Sequence, residues 1–178
     1  MVHLLNSGDT YADTAVLQDV YAFMQQHKQA AWVSGKVQTF RGGHWVAVGK
    51  PFEKQKLYRG MRSVSHPSWF VHRQVYEKYG GYSSTYKIAM DYDMMCRIAG
   101  EPYAFMDRVV AVFDPTGVSS SQYGKALAET RRVYELHFGY SLPMVLWQLR
   151  LKLLHVVLQS RVGKWLFNLK RKAGLENA

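Results

Sequence analysis

The chain of 178 residues contains a single cysteine, Cys96. That excludes an intrachain disulfide and any multi-cysteine metal centre, and it fits a reducing compartment. No apolar run reaches the length that a bilayer span requires. The N-terminus has no basic region leading into an apolar core, so no signal peptide is read there. Internal repeats and low-complexity tracts are also missing. A further absence is local: no Asp or Glu occurs from residue 136 to residue 175. Arg150, Lys152, Arg161, Lys164, Lys170, Arg171 and Lys172 all fall in that stretch and carry most of the formal net charge of +10.

What is present is enough to build a core. Hydrophobic residues make up 48% and aromatics 14%, which argues against disorder and fits one ordinary domain. Val2-His3-Leu4-Leu5 reads as the end of a buried strand. A strand at the first residues leads to the expectation that the chain is the C-terminal part of something larger. Residues 13–29 carry Val16, Leu17, Val20, Tyr21, Phe23 and Met24 at helical spacing, with Asp13 or Thr10 as N-cap. Strands are expected over 30–40 and 44–48, with Arg41-Gly42-Gly43 as the hairpin signal. Residues 51–65 read as loop. A short helix over 73–79 stops at Gly80-Gly81. The pattern then predicts a strand over 103–113, a small-residue loop over 114–121 and a helix from about 122 to 138. Pro143 opens a final helical region that Gly163 divides.

The stretch Lys87-Ile88-Ala89-Met90-Asp91-Tyr92-Asp93-Met94-Met95-Cys96-Arg97 joins a loop to a helix. Met90, Met94, Met95 and Ile98 mark its buried face, and the helix ends near Gly100. Asp91 falls at the helix N-terminus, where the macrodipole favours an ionised carboxylate. Asp93 points to another face, so the two carboxylates have different roles. Arg97 can pair with Asp93 one turn on. Cys96 reads as a core residue. Two N-terminal charges without chemistry are the plain alternative for this stretch.

Several short motifs occur in order: Leu4-Leu5-Asn6-Ser7-Gly8-Asp9, His66-Pro67-Ser68-Trp69-Phe70, Arg73…Tyr76…Gly80-Gly81-Tyr82, Ile88-Ala89-Met90-Asp91-Tyr92-Asp93…Arg97, and Gly117-Val118-Ser119. Together they resemble the C-terminal half of family-2 glycosyltransferases with the GT-A fold, in particular the bacterial exopolysaccharide enzymes of the colanic-acid type. The resemblance implies an α/β chain: an incomplete GT-A (Rossmann-like) fold lacking the N-terminal nucleotide-binding strands. Residues 1–140 would form its metal- and acceptor-side part, and 141–178 a basic amphipathic helical tail. It implies that Asp9 holds a divalent cation, Mg²⁺ or Mn²⁺, at the diphosphate of a nucleotide-sugar donor. Asn6 would supply a further oxygen, and Asp91 would act as general base on the acceptor hydroxyl. His66, Arg97 and Ser119 would be substrate contacts, and Asp93 a support residue or an acceptor contact. Asn6-Ser7-Gly8-Asp9 can also be read as a plain turn, and His66 as an ordinary loop histidine. One departure is Pro67, which stands where the family usually has Gln. The other is the absent N-terminal half, with its nucleotide-reading carboxylates.

The acceptor implied is a glycan or a lipid-linked sugar, and the location cytoplasmic, with peripheral attachment to the inner face of the cell membrane. A different class of function rests on the tail alone. Leu146, Trp147, Leu149, Leu153, Leu154, Val157 and Leu158 can form one apolar face, continued by Trp165, Leu166, Phe167 and Leu169 among basic residues. That composition suits a non-catalytic module on an anionic membrane surface, and it equally suits a face packed back on the domain. Nucleic acid is not an expected partner, because no recognition motif accompanies the basic residues.

Overall fold

The structure, a computed structural model, describes residues 1–41, 43–62, 64–114 and 122–160. The expected contact Ser119, the break at Gly163 and the tail beyond residue 160 lie outside the described residues. The elements run β1 (Thr10–Tyr11), α1 (Val16–Gln26), β2 (Trp32–Arg41), β3 (His44–Val48), a 3₁₀ turn (Lys54–Arg59), a second 3₁₀ turn (His66–Ser68), β4 (Trp69–Val71), α2 (Arg73–Tyr79), α3 (Met90–Ile98), β5 (Tyr103–Val112), α4 (Tyr123–Phe138) and α5 (Leu142–Gln159). Two units divide the chain, Met1–Gly139 and Tyr140–Ala178. The class is α/β with a mixed open sheet.

The strand β2 is the spine of the first unit. It runs parallel to β5 along one edge. Along the other edge it pairs antiparallel with β4 through Trp32, Val33 and Ser34, then with β3 from Val37 onward. The change of partner falls at Gly35, where the register against β5 shifts. A Cβ at Gly35 would lie 2.8 Å from Cγ1 of Val110 and 2.9 Å from the Arg108 carbonyl oxygen. Only glycine lets the two backbones approach this closely.

Successive residues of a strand face opposite sides, and this sheet is covered on both. Trp32, Trp69 and Val71 pack with Val75, Met94, Met95, Ile98 and Val133 from α2, α3 and α4. Val33, Phe70 and Val110 face the other way, onto Val16, Val20 and Met24 of α1. Those α1 residues recur every fourth position, the stripe a core-facing helix needs. Burial on both faces explains why Trp69-Phe70-Val71 is an unbroken apolar run. Truncating Phe70 to alanine would cost about 3–5 kcal/mol by the cavity it leaves.

Several boundaries differ from those the sequence predicts. The first helix is shorter than 13–29. Asp13 Oδ1 accepts the N–H of Ala15 at 2.8 Å in a turn ahead of it, and the helix N-cap is Ala15, without a side-chain cap. Thr10 pairs with Val112 in a strand instead of capping. Of the expected strand at residues 2–5, only Val2 pairs, exchanging hydrogen bonds of 2.7 and 3.0 Å with Val71. The loop at 51–65 contains the first 3₁₀ turn, tied down where the Tyr92 hydroxyl donates to the Leu57 carbonyl at 2.6 Å. In the second unit, Ser141 caps α5 by accepting the N–H of Met144 at 3.3 Å, with Pro143 in the first turn.

Candidate functional site

A cleft of about 590 Å³ opens in the first unit, and its polar lining includes Asn6, Asp9, His66, Lys87, Asp91 and Asp114. Asn6 to Asp9 form a β-turn in which the Asp9 N–H donates to the Asn6 carbonyl at 3.0 Å. Gly8 takes φ +95° at the third position, where a side chain would be strained. The turn reading is therefore correct as geometry, and it aims the turn at the cleft. His3 anchors the lead-in: Nε2 lies 3.1 Å from the Pro67 carbonyl and the ring stacks on Phe70. The Oδ1 atom of Asp9 accepts the Asp114 N–H at 3.0 Å. Its Oδ2 atom is buried and has no hydrogen-bond partner among the described residues.

His66 opens the second 3₁₀ turn and is only 7% exposed. Its Nε2 lies 2.8 Å from the Tyr82 hydroxyl and 3.8 Å from Oδ1 of Asp91. Its Nδ1 is buried without a partner among the described residues. Burial pushes its pKa down to about 4, against the opposing pull of the Asp9 charge. At neutral pH the imidazole is uncharged.

Asp91 stands in the first turn of α3. The macrodipole there favours its ionised form, yet burial wins and lifts its pKa to about 6. Its position is set from α4. The Glu129 carboxylate accepts the N–H groups of Ile88 and Ala89 at 2.8 and 3.0 Å, and that of Lys87 at 3.4 Å. Burial alone would raise the pKa of Glu129, but these donors hold it below the usual range. The segment leading into Asp91 is thus clamped by a charge-assisted set of bonds.

Asp93 and Arg97 are not among the residues that line the cleft. Asp93 is buried, because α3 packs on nearly all sides: Tyr92, Met94, Met95, Cys96 and Ile98 are buried with it. Arg97 Nε donates to Asp93 Oδ2 at 3.0 Å, and His137 Nε2 lies 2.8 Å from Oδ1. Arg97 also donates to the carbonyls of Tyr79 and Gly81 at 2.5 and 2.8 Å. The i, i+4 pair is real, and its work is to tie α3 to the end of α2 and to α4. Cys96 is a buried core residue, with its thiol pushed up to about 12 by burial.

The residues present suit a hard divalent cation. Asp9 offers one carboxylate oxygen without a partner among the described residues, and Asn6 and Asp114 line the same cleft. Among the described residues no group of three or more His, Cys, Asp or Glu side chains converges. A cation here would keep most of its positions for phosphate and water, as Mg²⁺ commonly does. Lys87, Asp114, Tyr82 and Glu129 were given no role from the sequence, although Lys87 and Tyr82 fall within stretches quoted there. No protein-family model matches the chain, and no curated protein matches it.

Proposed function

We propose that the cleft is the active site of an inverting glycosyltransferase that moves a sugar from a nucleotide-sugar donor to a glycan or lipid-linked acceptor. The reading joins the resemblance to family-2 enzymes with one observation: Asp9 and Asp91, far apart in sequence, line the same cleft. Asp91 is the general base. A carboxyl with a pKa near 6 is a stronger base than an ordinary aspartate and is still ionised at neutral pH. It takes the acceptor hydroxyl proton as that oxygen bonds to the anomeric carbon and the bond to the donor phosphate breaks. The Glu129 clamp holds Asp91 in place for this. Lys87 lines the same cleft, and its positive charge would offset that of the departing diphosphate. A divalent cation, Mg²⁺ or Mn²⁺, held by Asp9 with Asn6 beside it, would supply further neutralisation of the leaving group.

The test is release of nucleoside diphosphate by the purified chain, given nucleotide-sugar donors, sugar acceptors and Mn²⁺. Asp91→Asn is expected to lower kcat about 10²–10⁴-fold. Full turnover in that variant would remove Asp91 as the base.

A second reading concerns where the protein sits. Leu146, Leu149 and Leu153 of α5 are 56%, 52% and 59% exposed, with Arg150 and Lys152 on the same helix. This favours peripheral attachment to an anionic, inner-leaflet membrane surface, with or without catalysis. Among the described residues no helix is long and apolar enough to cross a membrane. Flotation with liposomes containing anionic lipid, lost in a Leu149→Glu/Leu153→Glu variant, is the expected outcome; unchanged flotation would exclude α5 as the anchor.

A further inference from the structure

We propose that Nδ1 of His66 and Oδ2 of Asp9 ligate the same divalent cation, and that the nitrogen biases this site toward Mn²⁺ over Mg²⁺. The inference rests on the cation reading of Asp9 given above and extends it to a residue assigned there no such role.

Buried polar atoms in folded proteins are nearly always paired, and each exception calls for a cause. Two of the few exceptions here, His66 Nδ1 and Asp9 Oδ2, belong to residues that line one cleft. They do not bond each other. On the Nε2 side lie the Tyr82 hydroxyl at 2.8 Å and the Asp91 carboxylate at 3.8 Å. A carboxylate facing one ring nitrogen favours the proton there, so Nε2 carries the hydrogen and Nδ1 keeps a lone pair. The Tyr82 hydroxyl can accept from Nε2 and donate its own hydrogen bond to the Tyr76 hydroxyl, 3.4 Å away. On this tautomer both orphaned atoms are acceptors, so each calls for a donor or a cation.

A bridging water would serve both, but three features favour a cation. The second N–H of a metal-binding histidine is characteristically held by an oxygen, as Nε2 is here. The free oxygen of Asp9 is oriented by the bond its other oxygen accepts from Asp114. Asp9, Asp91 and Asp114 are among the residues that line the cleft, against the positive charge of Lys87, and a water molecule does nothing to offset that acidic excess. Mg²⁺ strongly prefers oxygen donors, whereas an imidazole suits transition ions. A mixed nitrogen–oxygen pair therefore discriminates between two ions of equal charge.

The test uses the full chain with Mn²⁺ and Mg²⁺ as probes, read by equilibrium binding and by pulsed EPR of bound Mn²⁺. The wild type should bind Mn²⁺ at least about tenfold more tightly than Mg²⁺ and show coupling to a ¹⁴N nucleus. His66→Ala should lose about tenfold or more in Mn²⁺ affinity, with little change for Mg²⁺. The EPR measurement needs no variant, so it decides the matter even if His66→Ala folds poorly. Absence of ¹⁴N coupling, or undiminished Mn²⁺ affinity in folded His66→Ala, overturns the assignment of His66. If Asp9→Asn then still loses the ion, the cation reading of Asp9 stands without His66. A wild type that takes up no Mn²⁺, or an Asp9→Asn variant that binds it undiminished, overturns both.

Discussion

Nε2 of His66 lies 3.8 Å from Oδ1 of Asp91, yet in the cation-free protein the two never form an ion pair. Burial lets His66 take a proton only near pH 4, while Asp91 gives one up near pH 6. Between those values both are neutral, above them only Asp91 is charged, and below them only His66. The neighbours act on each other as dipole and charge.

That ordering predicts the stability of Asp91→Asn. Because the folded-state pKa of Asp91 lies above its ordinary value of 3.8, the fold resists ionisation. The native state holds more protons than the unfolded chain between about pH 4 and 6. This side chain therefore costs stability as pH rises through that window, and the cost is fully present above it. In the absence of divalent ions, Asp91→Asn should be about 1–3 kcal/mol more stable than wild type at pH 8. At pH 3.5 the two should match. Urea unfolding at both values measures this, and a gain that does not vary with pH would contradict it.

Asp93→Ala should behave as a structural lesion. It removes the acceptor of Arg97 and of His137 inside a packed helix interface. Stripping one partner from a buried pair costs about 3–5 kcal/mol; the 18% exposure of Arg97 places this case at the low end. Thermal unfolding should fall accordingly, while KM for any substrate the folded variant turns over stays near the wild-type value. A raised KM at unchanged stability would return Asp93 to substrate contact.

Glu129→Gln tests the clamp on the lead-in to α3. The amide retains one acceptor oxygen but loses the charge that strengthens the bonds from Ile88 and Ala89. A loss of about 1–2 kcal/mol is expected. Amide hydrogen exchange should speed up at residues 87–89 and remain unchanged in the β2–β5 pair.

The sequence shows the alternation of strands and helices clearly, because periodicity is local. Met94, Met95 and Ile98 mark the buried side of α3, and Gly80 marks the end of α2. The site is legible only in part. Asp9 and Asp91 stand out because each follows an apolar run at an element boundary. Glu129 and His137 sit on α4 among ordinary helix-surface charges, and nothing nearby marks the loop or the carboxylate they meet some 40 residues away. Asp93 reads as a solvated first-turn charge because its burial comes from α2 and α4, which local spacing does not report. Asp114 falls at the end of β5, and its closeness to Gly8 is a property of the sheet, not of either segment.

Gly35→Ala probes the spine. The added methyl would meet both the Val110 side chain and the Arg108 backbone, so β2 and β5 must move apart. A cost of about 1–3 kcal/mol is expected from overpacking, read as a lowered urea midpoint. Gly43→Ala, with nothing within 4 Å but φ at +91°, should cost only its backbone strain, about 1 kcal/mol.

The partners of β2 arrive at very different times during synthesis. The hydroxyls of Ser34 and Tyr103 bond at 2.8 Å across 69 positions of chain, and the parallel strand that carries Tyr103 is, among the described residues, the last of the sheet to leave the ribosome. Until then Trp32 and Val33 stand on an edge that nothing covers, and such edges recruit other chains. Newly made protein should therefore depend on chaperones up to the emergence of residue 112 and be released from them soon afterwards.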